Sequence, residues 1–190
     1  MRASRIVALS VLIVVVGALS VVVLGRPQST EHDNPSPSRE GRQRSAAVRT
    51  ATRFLVGLDA PTLLDEDARR SFVSRWASRD AEPQLQRLYD AEAERIAVLR
   101  DGYSRAAPLG YRVEHLRAGS ADVAIWAVSL ASVGDIPAAV GWRTLVVGLV
   151  REGGSWRIST VTDAPGPSPD SRPARFRLAA ERFREYRIAP

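Results

Sequence analysis

The sequence predicts an α+β domain that follows a single membrane-spanning helix. Three observations support this prediction: an uncharged apolar run near the amino terminus, apolar residues at helical spacing in the next part of the chain, and β-branched and aromatic runs after them. We expect three helices packed on a curved, cone-like antiparallel sheet of four strands, followed by a C-terminal amphipathic helix.

The apolar run spans residues 6–24 and contains no charged residue and no proline. A helix of this length rises roughly 28 Å, which is close to the roughly 30 Å hydrocarbon core of a bilayer. Residues 1–5 carry two arginines and are expected in the cytoplasm, with the long polar remainder outside. A cleaved signal peptide is the alternative, but its apolar core is typically shorter. We therefore expect a single-pass cell-membrane protein with an extracytoplasmic C-terminal domain.

A polar segment at residues 25–44 follows the apolar run. It is rich in Pro, Ser and charged residues and has no apolar periodicity, which is typical of a flexible spacer. The remaining stretch, residues 45–163, has the length of one domain with its own core. The whole chain contains no cysteine, which excludes disulfides, thiolate metal sites and a cysteine nucleophile.

Three helical patterns occupy the first half of this domain. The first ends near Gly57, the second begins with a capping box of Thr62 and Asp65, and the third begins near Pro83, with Glu92 on its polar face. The apolar residues that define the three stripes are Ala47, Ala51, Phe54, Leu55 and Leu58; Leu64, Ala68, Phe72 and Trp76; and Leu85, Tyr89, Ala93, Ile96 and Leu99.

The second half has the composition and turn signals of four strands. We place these strands at residues 109–116, 122–132, 142–151 and 156–162. Short connections between successive strands predict an antiparallel meander. Because both faces of the third strand are apolar, that strand is expected to be central and covered on each side. The three helices would cover one of these sides.

The order of elements and the closing hairpin at residues 149–158 resemble the nuclear transport factor 2-like superfamily. In this hairpin, a turn at Gly153 and Gly154 precedes Trp156 and Arg157. With the anchor and spacer added, the architecture resembles bitopic assembly proteins of bacterial conjugation and type IV secretion. It is also similar to single-span proteins that accompany bacterial lipid-import complexes.

The resemblance to conjugation and secretion proteins implies a non-enzymatic scaffold in an envelope complex, with envelope and membrane proteins as partners and homo-oligomerisation as an option. No cofactor and no catalytic residue are expected from it. The superfamily also contains isomerases and cyclases, whose pocket inside the cone uses Asp or His with Tyr partners. The alternative function is therefore an extracytoplasmic small-molecule or lipid-binding module, either non-catalytic or resembling these enzymes.

His115, Trp126 and Trp142 are the residues that such a ligand pocket would use. His115 shares a predicted strand face with Tyr111 and Val113, so that it could act as a base inside the cone. A hydrogen-bonded core or rim position for the histidine and core positions for the tryptophans are the interpretations that we favour. The sequence offers no histidine cluster for zinc and no Ser-His-Asp set, so no metal site is predicted.

The net charge of +6 is distributed unevenly along the chain. Residues 1–49 carry +4, residues 50–164 carry −1 and residues 165–190 carry +3. A nearly neutral folded domain lacks the basic excess that tracks phosphate backbones, so no nucleic-acid partner is expected for it.

Residues 164–190 combine a Pro-rich break with a short basic amphipathic helix. Phe176, Phe183 and Tyr186 share its apolar face, and Arg177 and Arg184 belong to its basic face. Such a helix can pack on the sheet of its own domain, bind a partner protein or lie on anionic lipid headgroups. These five residues are the candidate partner-binding residues.

Overall fold

The computed structural model describes residues 38–97, 102–133 and 138–186. The predicted cytoplasmic tail, the predicted span at residues 6–24 and most of the predicted spacer lie outside the described residues. Within the described ranges, no helix is both long enough and apolar enough to cross a bilayer.

The described chain forms an α+β fold in which four helices precede an antiparallel sheet and one follows it. The helices are α1 (Arg39–Gly57), α2 (Ala60–Leu64), α3 (Glu66–Trp76), α4 (Glu82–Ile96) and α5 (Pro173–Ala180). The strands are β1 (Gly102–Leu116), β2 (Ser120–Val133), β3 (Ala139–Glu152), β4 (Ser155–Pro165) and β5 (Arg184–Glu185). Their order in the sheet is β4-β3-β2-β1-β5, so the predicted four-stranded meander is present with a short fifth strand added.

Helix α1 begins at Arg39, inside the segment that the sequence analysis assigned to a flexible spacer. The Ser38 side chain accepts a hydrogen bond from the backbone N–H of Gly41 at 3.1 Å and caps the helix. One turn later, Arg44 lies 3.4 Å from the Glu40 carboxylate. These polar contacts stabilise the first turns of α1 without any apolar periodicity. The predicted boundary between spacer and domain at residue 45 relied on that periodicity and therefore lies too late in the chain.

The second predicted helix is divided into α2 and α3 at Asp65. Asp59 caps α2 by accepting a hydrogen bond from the backbone N–H of Thr62 at 2.9 Å. Asp65 has extended backbone angles and caps α3 through the N–H of Ala68 at 2.8 Å. The predicted capping box of Thr62 and Asp65 is therefore wrong, because each helix has its own aspartate cap.

One face of the sheet packs against the helices. Residues directly opposite each other in an antiparallel sheet share a face, and Ile125 lies opposite both Tyr111 and Leu145. The core side chains of this interface are almost completely buried: Phe54, Leu55, Leu58, Leu63, Tyr89, Val123, Ile125, Leu145, Val147, Leu149 and Ile158. The hydrophobic core thus lies between the helices and the sheet, where the three predicted apolar stripes meet it.

The C-terminal segment covers the other face and differs from the predicted single helix. Helix α5 ends at Ala180, and the chain then turns and pairs as β5 with Gly110 and Tyr111 of β1. Strand β1 would otherwise present unpaired backbone groups at the edge of the sheet, and pairing satisfies them. The prediction of a C-terminal helix is right for residues 173–180 and wrong for residues 181–186, and residues 187–190 lie outside the described residues.

Candidate functional site

His115 does not lie with Tyr111 and Val113 on one face of β1, so that prediction is wrong. Val113 pairs with Val123, but a register shift follows and His115 pairs with Asp122. This bulge moves His115 to the face turned away from the helices, because one inserted residue reverses the alternation of side chains. The imidazole is exposed, and its Nε2 lies 3.4 Å from the guanidinium of Arg117.

Trp126 and Trp142 also lie on the face turned away from the helices, and not inside a cone. Trp126 of β2 lies opposite Thr144 of β3, and Trp142 is two residues before Thr144 on β3. The centroids of the two indole rings are 6.0 Å apart. Both side chains are half-buried. Their sheet position separates them from His115, which pairs with β2 four residues before Trp126.

Trp126 is the centre of an aromatic cluster formed with the C-terminal segment. Its ring centroid is 6.0 Å from those of Phe176 and Phe183, and its Nε1 donates a hydrogen bond to the Pro167 carbonyl at 3.0 Å. Edge-to-face and offset ring pairs of this kind add to the free energy gained from burial. The residues around Trp126 therefore attach the C-terminal segment to the sheet, and we call them the aromatic clasp (Trp126, Trp142, Phe176 and Phe183).

The C-terminal segment crosses the edge of the sheet immediately after the aromatic clasp. A Cβ atom on Gly110 would lie 2.9 Å from the Cβ of Phe183, so the absence of a side chain allows the close approach. Three residues later, Tyr186 lies on the helix side, where its ring centroid is 5.2 Å from that of Tyr111. Its hydroxyl forms a 3.0 Å hydrogen bond with the Thr52 hydroxyl of α1, so the segment contacts both sides of β1.

The predicted partner-binding residues thus have two different environments. Phe176, Phe183 and Tyr186 are half-buried against the sheet of their own domain, which is one of the three arrangements considered for the tail. Arg177 and Arg184 are exposed. A role for these residues in binding another protein stays a prediction.

An open groove lies between residues 41–53 of α1 and the β5 segment, with a volume of about 1280 Å³. Four arginines line it, together with the aromatic rings of Tyr111 and Tyr186 and the acidic Glu185. The arginines are Arg44, Arg49, Arg53 and Arg184. We call this feature the α1–β5 groove. It collects positive charge on a domain whose residues 50–164 carry a net charge of −1.

Three of the groove arginines are available to an anionic ligand. Arg49, Arg53 and Arg184 are exposed, and among the described residues none of them forms a salt bridge with an acidic side chain. Arg44 is paired with Glu40. This group was not predicted from the sequence, because Arg44 falls in the predicted spacer and the charge was summed over the domain as a whole. The spacing of Arg49 and Arg53, one helical turn apart on a helix, was the available signal.

A polar contact joins the three middle helices. Arg69 of α3, only 8% exposed, donates to the Asp90 carboxylate of α4 at 2.8 Å and to the Leu63 carbonyl of α2 at 2.5 Å. The hydrogen bond from Arg69 lowers the pKa of Asp90 below its usual value of 3.8. The arrangement has a structural role. The packing of the helices buries the Arg69 guanidinium, and the Asp90 carboxylate and the Leu63 carbonyl accept its hydrogen bonds.

Glu92 of α4 is 5% exposed, which corrects its predicted place on a polar helix face. It pairs with Arg95, whereas its Oε1 atom has no hydrogen-bond partner among the described residues. On the same helix, burial raises the pKa of Tyr89 well above its usual value of 10, which keeps the phenol protonated. In the described ranges, no group of three or more His, Asp or Glu residues has the arrangement of a metal site.

The chain is similar to known proteins in its fold, but it matches no family model. No curated protein matches it significantly either. Among solved structures, an IcmL-like type IV secretion system protein from Legionella pneumophila is similar, with a TM-score of 0.53 and 11% identity, covering 70% of this chain and 96% of that one.

Two further structures are similar at lower scores. Aln2 from a Streptomyces species has a TM-score of 0.48 and 15% identity, covering 69% of this chain and 93% of that one. The intermembrane space region of the chloroplast protein ARC6 has a TM-score of 0.43 and 12% identity, covering 68% of this chain and 100% of that one. At 11% identity, the match to the secretion protein indicates a shared fold.

Proposed function

We propose that this chain is a non-enzymatic, membrane-anchored scaffold in a bacterial envelope complex of the conjugative-transfer or secretion type. The observation that carries the proposal is the filled space between the helices and the sheet, where Phe54, Ile125 and Leu149 are each at most 1% exposed. A domain whose interior is occupied by its own side chains has its surfaces left for function. The fold shared with a type IV secretion system protein supports the setting.

The position of His115 supports a non-enzymatic role. In the enzymes of the superfamily that the sequence resembles, an acid or base acts inside the cone. Here His115 is exposed on the opposite face of the sheet, and Trp126 and Trp142 belong to the aromatic clasp. The three residues that a ligand pocket would need are therefore not arranged around one cavity.

Exposed apolar side chains supply candidate contacts for protein partners. Leu130 and Val140 lie directly opposite each other on β2 and β3, on the face of the aromatic clasp, and are 42% and 56% exposed. Leu178 of α5 is 67% exposed. Contiguous exposed apolar surface marks sites of protein contact, and the adjacent Leu130 and Val140 are the candidate for such a site.

Site-specific photo-crosslinking in native membranes tests the proposal. A photoreactive amino acid at Leu130, Val140 or Leu178 is expected to give adducts with other envelope proteins, identified by mass spectrometry. The same photoreactive amino acid at Ser155, the first residue of β4, is the control and should give few adducts. Recovery of the free monomer alone at all four positions would contradict the scaffold proposal. Adducts with a second copy of the chain would support homo-oligomerisation.

A second experiment separates the scaffold from the small-molecule alternative. A His115→Ala variant is expected to keep the crosslinking pattern and the cellular function. The hydrogen bond observed for the imidazole joins it to the Arg117 guanidinium on the face of the sheet turned away from the helices. Loss of function with an unchanged crosslinking pattern would favour ligand binding or catalysis at His115.

A further inference from the structure

The α1–β5 groove has the chemistry of an anion site. Guanidinium groups bind phosphate through paired N–H donors, and Arg49, Arg53 and Arg184 are free to do so. The rings of Tyr111 and Tyr186 line the same groove, and tyrosine suits the boundary between water and lipid headgroups. Glu185 is the acidic residue at the rim, and it leaves the lining with a clear positive excess.

The position of the groove on the chain indicates what occupies it. Helix α1 is the first described element, and residues 25–38 separate it from the predicted span at residues 6–24. Fully extended, fourteen residues reach at most about 50 Å, and a flexible chain of that length spans roughly 20 Å on average. The anchored bilayer is thus the anionic surface that the first half of α1 meets at the highest effective concentration.

We propose that the α1–β5 groove binds the anionic phospholipid headgroups of the membrane that holds the anchor. The domain then lies against the bilayer through α1 and β5, and the aromatic clasp and the exposed Leu130 and Val140 remain available for partners. This inference rests on the membrane anchor of the proposed function, but not on the identity of any protein partner.

The absence of cysteine allows the docking to be measured directly on the full chain. A Ser45→Cys variant places one fluorophore in the groove, and a Ser155→Cys variant places it at the opposite edge of the sheet. These edges are about 20 Å apart, since four strand spacings separate β4 from β5. The labelled chain is reconstituted in nanodiscs that contain a lipid with a nitroxide quencher on its headgroup.

We expect strong quenching at position 45 in discs that contain phosphatidylglycerol, and weak quenching in discs of phosphatidylcholine alone. The label at position 155 should be quenched weakly in both. Raising the ionic strength should release the groove, because the contacts are exposed and screened by salt. Equal quenching at position 45 in both kinds of disc, or equal quenching at both positions, would overturn the proposal.

Charge variants test whether the groove residues are responsible. Replacing Arg49, Arg53 and Arg184 by alanine is expected to lower the ratio of docked to free domain by about fivefold for each arginine removed. Replacing all three by lysine should retain most of the docking. The matched control removes Arg75, Arg87 and Arg172, which are exposed and lie outside the groove, and should leave the ratio almost unchanged. Equal losses in the two alanine sets would reduce the effect to net charge and contradict a specific groove.

Inorganic phosphate distinguishes a lipid headgroup from a soluble ligand. At equal ionic strength, phosphate and chloride should release the label at position 45 to the same extent. Selective release by phosphate would assign the groove to a soluble phosphate compound and overturn the headgroup proposal. Partner crosslinks at Leu130 and Val140 are read separately, so the scaffold proposal and the headgroup proposal can fail independently.

Discussion

The two faces of the sheet are covered in different ways. On the helix side, α1 and α2 contact the sheet and α4 packs on α2, and residues such as Leu55, Leu63 and Val123 are at most 1% exposed. On the other side, one segment of the chain lies across the sheet, and the rings of the aromatic clasp remain half-buried. The first cover, made by the helices, forms the hydrophobic core. The second cover, made by the C-terminal segment, is attached to the surface of the sheet through partly exposed rings, and we call it the attached segment.

This difference indicates where stability and function lie. Each fully buried large apolar side chain contributes roughly 1.5–3 kcal/mol, so the helix side holds most of the free energy of folding. The C-terminal segment contributes few buried groups, and segments of this kind open locally at lower cost than the core. In the scaffold that we propose, the attached segment could be exchanged for a partner without unfolding the core.

The largest expected effect comes from truncating one phenylalanine on each face. Phe54→Ala removes a ring that is 1% exposed and lies 5.4 Å from the ring of Phe72, and should lower the free energy of unfolding by about 3–5 kcal/mol. Phe176→Ala removes a half-buried ring and should cost about 1–2 kcal/mol. Urea unfolding of the full chain in detergent, followed by far-UV circular dichroism, measures both. Equal losses would show that the two covers are energetically alike.

The next effect concerns the polar contact that joins the middle helices. Arg69→Ala leaves Asp90 and the Leu63 carbonyl without their donor and should cost about 2–3 kcal/mol. Asp90→Asn should cost less, because the Asp90 side chain is 46% exposed. The exposed Asp80→Asn is the matched control and should have no measurable effect.

The pH dependence of the Asp90 variant follows from its lowered pKa. A carboxyl whose pKa is lower in the folded state stabilises the fold above its unfolded pKa, here 3.8, and loses this contribution as the pH falls through the folded value. The difference in the free energy of unfolding between the natural chain and Asp90→Asn should therefore shrink below pH 3.8. A difference that stays constant into stronger acid would contradict the role assigned to the Arg69 hydrogen bond.

A substitution at Gly110 should affect only the attached segment. In Gly110→Ala the new methyl group meets the Cβ of Phe183 at 2.9 Å and the Arg184 carbonyl at 3.2 Å, so β5 must move away. We expect a cost of about 1–2 kcal/mol and faster trypsin cleavage after Arg177 and Arg182, with the core still folded. Gly119→Ala is the control, because its methyl group would meet no atom within 4 Å. Unchanged cleavage would show that β5 is not held by the close approach at Gly110.

The sequence predicts the layers of this fold better than it predicts their contacts. Apolar periodicity identified the stripe of α1, and Pro83 at a first-turn position marked the start of α4. The apolar character of both faces of β3 predicted an interior strand, and β3 lies between β4 and β2. These features depend on local spacing, which a single sequence contains. The confirmed part is the mixed helix and sheet, and the anchor at residues 6–24 stays a prediction.

The errors at His115, at the C-terminal segment and at the α1–β5 groove share a physical cause, which is a contact between distant parts of the chain. The bulge after Val113 turns His115 to the other face, and no local pattern indicates it. The apolar residues after Ala180 have helical spacing, but Arg184 and Glu185 form a strand because they pair with Gly110 and Tyr111 of β1. The α1–β5 groove needs both the start of α1 and the position of β5, so neither its charge nor its existence follows from composition.

The smallest expected effect lies where the attached segment meets the helix side. Tyr186→Phe removes the 3.0 Å hydrogen bond to Thr52 and keeps the ring beside Tyr111, so it should cost about 0.5–1.5 kcal/mol. Burial raises the pKa of Tyr186 to about 12 from its usual value of 10. A raised phenol pKa stabilises the fold below pH 10, and this contribution is lost as the pH rises toward 12.

The Tyr186→Phe variant should therefore lose less stability than the natural chain between pH 10 and pH 12, as measured by urea unfolding at each pH. Thr52→Val removes the same hydrogen bond and leaves the phenol in place, so it separates the bond from the titration. If Tyr186 titrates near pH 10 in the folded chain, its hydroxyl is open to water and the segment is attached by the aromatic clasp alone. In that case, the two covers of the sheet would share no contact across the edge of β1.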